Sequence, residues 1–139
     1  MYSADHLLIS AIVGVILAIL TTESMLLGAA VVVYAVALGV GIDLDHFLIA
    51  RLNAGKWRAV RRGIEDPRRL VFAQHELFRP REVSPSERML SHLVLGGLLV
   101  GGLWVVTPWL AVVSGVVVYV HVLADAAADS SWCTGILMR

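Results

Sequence analysis

Four long apolar stretches leave this chain few folds to choose from. They cover residues 6–21, 25–48, 86–106 and 109–129, each 16 to 24 residues long. As helices these lengths cross or nearly cross a hydrocarbon core ~30 Å thick. In lipid every backbone N–H and C=O must be satisfied inside the segment, so an open chain crosses as helices. With 58% hydrophobic and 16% charged residues, the composition is that of a small integral membrane protein. The expected fold is all-α: a single membrane domain over residues 1–139, a bundle of four transmembrane helices in two hairpins.

The connections set the orientation. TTES at 21–24 and Thr107-Pro108 are short turns without Lys or Arg. Ten of the eleven Lys/Arg residues (Arg51, Lys56, Arg58, Arg61, Arg62, Arg68, Arg69, Arg79, Arg81 and Arg88) fall between positions 51 and 88. Basic residues stay on the cytoplasmic side, which predicts a cytoplasmic loop at 51–85 and an N-in, C-in protein of the plasma membrane. The N-terminal MYSADHLLIS lacks the basic start of a signal peptide, so the first segment is expected to be a retained helix.

Ser84-Pro85-Ser86-Glu87 reads as a capping box that opens the third helix. Asp66-Pro67 opens a short amphipathic helix, with Leu70, Val71, Ala73, Leu77 and Phe78 opposite Arg68, Arg69 and Gln74. That segment, and Trp57 among Lys56, Arg58, Arg61 and Arg62, suit the membrane surface. An ordinary positive-inside loop explains the charges equally well. Gly96, Gly97, Gly101 and Gly102 give the third helix the small-residue spacing of close helix packing, within the bundle or between subunits of a homo-oligomer.

With this topology, four helices deliver polar side chains to one layer. His6 begins the first helix, Asp43, Asp45 and His46 end the second, His92 lies two turns into the third, and His121, Asp125 and Asp129 end the fourth. A carboxylate within the apolar layer costs roughly 2.5–3.5 kcal/mol on insertion scales. Asp43, Asp45, Asp125 and Asp129 also sit at helix C-termini, where the macrodipole disfavours anions. Such a layer needs a cation. Loop arginines could supply it as an ion-pair network, but imidazoles are poor partners for arginine and good ligands for a metal.

His121 and Asp125 are i, i+4, and Asp43 and His46 are i, i+3, so each pair shares a helical face. Cys133 is the single cysteine, which excludes cysteine-rich zinc sites and internal disulfides. His and carboxylate ligands suit zinc first, with manganese or iron as alternatives. Seven candidates (His6, Asp43, Asp45, His46, His92, His121 and Asp125) exceed the four that one zinc takes, so one to two ions are expected. His75-Glu76 lies in the loop, as a solvated pair or as a further ligand or base should the loop fold over the layer.

These elements resemble those of the YdjM-like family of membrane-bound metal-dependent hydrolases. GIDLDH at 41–46 resembles the family's PDIDH element, ERMLSHL at 87–93 its HRxxTHS element, and HVLAD at 121–125 its SHLLLD element. Gly41-Ile42 stands where the family often has Leu-Pro, Glu87 where it has the first His, and Leu93 where it has Ser, while Arg88 is kept. That family is similar in His/Asp layout to zinc-dependent phospholipase C. The resemblance implies phosphoester hydrolysis on a lipid or lipid-like substrate at the cytoplasmic leaflet.

In that picture the seven candidates hold metal, with Asp45 as bridging ligand or general base. Arg88 holds the phosphate through its planar fork, and Asp129 orients a ligand histidine. Membrane lipids and a lipid phosphate are the expected partners, and nucleic acid is not. The alternative is a non-enzymatic membrane protein that uses the same layer for metal or proton transport, or as a metal staple in an assembly.

Overall fold

The computed structural model describes residues 3–66, 68–69, 77–78 and 82–137. Every regular element among them is helical: α1 (Ser3–Thr21), α2 (Met25–Gly41), a single 3-10 turn (Ile42–Leu44), α3 (Asp45–Ala54), α4 (Arg58–Glu65), α5 (Pro85–Val106) and α6 (Pro108–Leu137). Four stretches among the described residues are long and apolar enough to cross a membrane: Ala4–Thr21, Met25–Ala54, Pro85–Val106 and Pro108–Ser130. This is a membrane protein, with α1 packed on α2, α5 packed on α6, and both α1 and α2 touching α6.

Two of the four spans run further than their apolar stretches. The second continues past 48 to Ala54, because Gly55, at φ +70°, ends the helix in the left-handed conformation that favours glycine. The fourth continues from 129 to Leu137. Between α2 and α3 the chain tightens into the 3-10 turn at Ile42–Leu44. Side chains three apart eclipse in such a turn, so Asp43 and His46 share one side while Asp45 is directed elsewhere.

The caps follow the sequence. Ser24 opens α2 by accepting from the Leu27 N–H. Ser84 and Glu87 form the capping box of α5, with the Ser84 N–H donating to Glu87 Oε2 at 2.9 Å. Asn53 donates to the Glu82 carbonyl at 3.0 Å and to Glu87 Oε1 at 3.1 Å, and Arg58 pairs with Glu82. These contacts tie the end of α3 and the start of α4 to the start of α5.

Leu17, Val31, Ala35, Val113 and Val117 form the apolar core at one end of the bundle. At the other end Phe47, Ala50, Ala59 and Leu77 form a second cluster. Tight crossings need glycine at three points, the first being Gly14, where a Cβ would lie 2.9 Å from Ala35 Cβ and 3.0 Å from Val32 Cα. A Cβ on Gly39 would overlap Ser10 Oγ, and one on Gly96 would lie 2.6 Å from Val118 Cγ1. A Cβ on Gly97, Gly101 or Gly102 would meet nothing within 4 Å. Of the four glycines on α5, Gly96 therefore makes the packing contact within the chain.

The basic stretch after Trp57 is helical, as α4, with Ala59 and Gly63 buried and Arg61 exposed. Most of the amphipathic helix expected after Asp66-Pro67 (Leu70, Val71, Ala73 and Gln74) lies outside the described residues, as do His75, Glu76, Met138 and Arg139.

Candidate metal centre

Four of the five histidines and three aspartates meet between the spans, all buried: His6, Asp43, Asp45, His46, His92, His121 and Asp125. α1 supplies His6 and the 3-10 turn supplies Asp43. Asp45 and His46 come from the first turn of α3, His92 from α5, and His121 and Asp125 from successive turns of α6. The layer expected from the sequence is thus one cluster.

Asp43 lies at its centre. Its Oδ1 is 3.3 Å from His121 Nε2, 3.5 Å from His92 Nε2 and 3.9 Å from His46 Nε2. Asp125 Oδ2 is 3.6 Å from His92 Nε2 and 3.8 Å from His121 Nε2, and Asp125 Oδ1 is 3.1 Å from His6 Nε2. The His6 and His121 rings stack with centroids 3.9 Å apart. The ligand-type atoms fall into two groups, each within 4.8 Å throughout. His6, Asp43, His121 and Asp125 form one; Asp43, His46 and His92 form the other. Asp43 belongs to both.

These residues fit a metal in three respects. The buried Nε2 atoms of His46, His92 and His121 make no hydrogen bond among the described residues, a costly state unless something else binds them. Their separations from carboxylate oxygens, 3.3–3.9 Å, exceed a good N–H···O distance. They are close to the ~3.3 Å between ligands of a tetrahedral ion bound at ~2.0–2.1 Å. Finally, the Asp43, Asp45 and Asp125 carboxylates are buried together in this cluster. A divalent cation would offset that concentration of like charge.

Asp45 stands apart from both groups. Its Oδ2 is 2.9 Å from His92 Nδ1 and also accepts from the Ser91 hydroxyl. A carboxylate on one ring nitrogen fixes the tautomer and leaves the other free to ligate. In this geometry the shared carboxylate is Asp43, and Asp45 orients His92. Asp45 Oδ1 also lies 3.7 Å from His46 Nε2.

Arg88 reaches Asp125 Oδ2 with Nε at 3.4 Å and donates to Asp129 Oδ2 at 2.7 Å. Asp129 thus sits on the guanidinium, where the sequence had suggested a ligand histidine. Glu87 is occupied by the helix cap and by Asn53, outside the cluster. Ser91 is the residue that sequence reasoning missed. The available signal was its position directly before His92, too weak alone because serine is common in helices.

What the arrangement offers chemically is a buried His/carboxylate site able to hold one ion, or two that share Asp43. No protein-family model, curated protein or solved structure matches this chain.

Proposed function

We propose that this protein is a membrane-embedded, metal-dependent hydrolase of the YdjM-like type, cleaving a phosphoester of a lipid or lipid-like substrate at the cytoplasmic leaflet of the plasma membrane. The observation that carries the reading is the pair of buried ligand groups joined through Asp43. Two such sites side by side suit phosphoryl chemistry, where one centre serves the attacking oxygen and the other the leaving oxygen. Zinc is the first choice of ion, since the ligands are imidazole and carboxylate without thiolate.

The bound metal supplies Lewis acidity, lowering the pKa of water towards ~7 and offsetting phosphoryl charge. The chain's own residues do the rest. His6, Asp43, His121 and Asp125 hold one position; Asp43, His46 and His92 hold the other. Asp45 keeps the His92 proton on Nδ1, and its second oxygen is available as a proton acceptor. Arg88 holds Asp125 and Asp129 through two of its five N–H donors and keeps others for a phosphate oxygen. The concentration of Lys/Arg at 51–88 supports the N-in, C-in orientation that puts the cluster at the cytoplasmic headgroup level.

A second reading, a structural staple, is favoured by one observation: every member of both groups is buried, and structural metal sites are closed whereas catalytic ones keep an open position. Headgroup release from phospholipid nanodiscs separates the two. As an enzyme, the protein loses activity on chelation and regains it with added zinc or manganese, while Asp43→Asn lowers turnover by about 100-fold or more. As a staple, it shows no turnover in any state, and chelation unfolds it.

A further inference from the structure

A groove of about 430 Å³ runs along the outside of the second and third spans, between Leu38, Gly41 and Leu44 on one side and Leu95 and Leu99 on the other. It lies wholly within Met25–Ala54 and Pro85–Val106, both membrane-spanning segments. Leu44 and Leu95 are 58% and 42% exposed, so the groove faces the bilayer. From Leu38 to Leu48, a further lining residue, it extends about 15 Å along the helix axis. Gly41 creates part of the space, since a Cβ there would meet nothing within 4 Å.

Asp45 is the one charged residue in the lining among the described residues, and it is the residue that orients His92. The groove is therefore apolar along its length and borders the His/Asp cluster at Asp45, whose carboxylate is turned inward to His92 and Ser91. A membrane lipid has a matching order, a hydrocarbon chain followed by a polar end.

We infer that this groove seats an acyl chain of a membrane lipid and presents the lipid's polar end to the His/Asp cluster from within the bilayer. The catalytic consequence rests on the hydrolase reading; the seating of the chain does not. Inside a bilayer, leaving neighbouring lipid tails brings no hydrophobic gain. The groove thus works by fit and orientation, holding the bond to be cleaved beside the cluster.

The experiment uses the full chain in phosphatidylglycerol nanodiscs doped with phosphatidylglycerol carrying a diazirine on one acyl chain. Photo-adducts are mapped by mass spectrometry, and metal content is measured on the same samples. Adducts should be enriched several-fold at Leu38, Leu44, Leu95 and Leu99 over other exposed residues of the spans such as Leu8 and Ile19. Gly41→Leu should remove them with metal content unchanged, and Leu95→Trp should do so from the opposite wall. Both variants should lower turnover of the diacyl lipid by about tenfold relative to a water-soluble phosphodiester.

Adducts spread evenly over the spans, or unchanged in both variants, would overturn the inference even if the protein hydrolyses both substrates. Adducts confined to the groove with neither substrate turned over would support the seating and refute the hydrolase reading.

Discussion

Asp43 and Asp45 are two residues apart yet hold different places, and the difference is set by one 3-10 turn. Asp43 Oδ1 faces three Nε2 atoms, whereas Asp45 backs His92 through Nδ1. Replacing them should separate the roles. Asp45→Asn leaves both ligand groups intact but disturbs the tautomer of His92, and should weaken metal binding by about 10–100-fold. Asp43→Asn removes the ligand that both groups share and should lower the number of ions bound, with a larger loss of affinity. A zinc titration against a competing chelator checks this; equal effects would contradict the assignment.

Which residues would meet was legible in the sequence, because His and Asp are expensive in an apolar span and the topology brings their helix ends together. The division of labour was not. It depends on where each side chain points as Ile42–Leu44 leads into α3, and on how that segment packs against α5. Asp129 shows the same limit: its place near the layer could be read, while its pairing with Arg88 depends on how α5 and α6 pack.

At the scale of elements, hydrophobic length located all four spans and cap chemistry fixed the start of α5 at the residue expected. The ends were harder. Arg51 and Asn53 fall outside the apolar run, yet the helix continues to Ala54 because Asn53 is held by Glu82 and Glu87 and Gly55 provides the terminator. The glycines of α5 were legible as a group but not one by one, since spacing does not say which of them faces α6. Gly96→Val would force a side chain against Val118 and should destabilise the protein by about 1–3 kcal/mol. Gly101→Ala meets open space and should change stability by no more than about 0.5 kcal/mol. Unfolding in graded denaturing detergent distinguishes the two; similar losses would mean that the open face of α5 is covered by another subunit.

At the scale of the whole molecule, two helical hairpins close around a polar layer at one end while the other end is filled by Leu17, Val31, Ala35, Val113 and Val117. The proposed orientation follows from charge, and cysteine labelling tests it. In a Cys133→Ser background, Thr22→Cys should react with a membrane-impermeant thiol reagent in intact cells, and Lys56→Cys only after lysis. The reverse pattern would put the cluster on the outer side and remove the cytoplasmic leaflet from the account.

The central claim is that the buried His/Asp cluster holds metal, and elemental analysis of protein purified in detergent without chelators tests it most directly. The account predicts about one to two zinc or manganese ions per chain, lost in a His92→Ala/His121→Ala double variant that stays helical. A metal-free wild-type protein, or equal metal in the double variant, would contradict it and leave the cluster as a buried network of ion pairs.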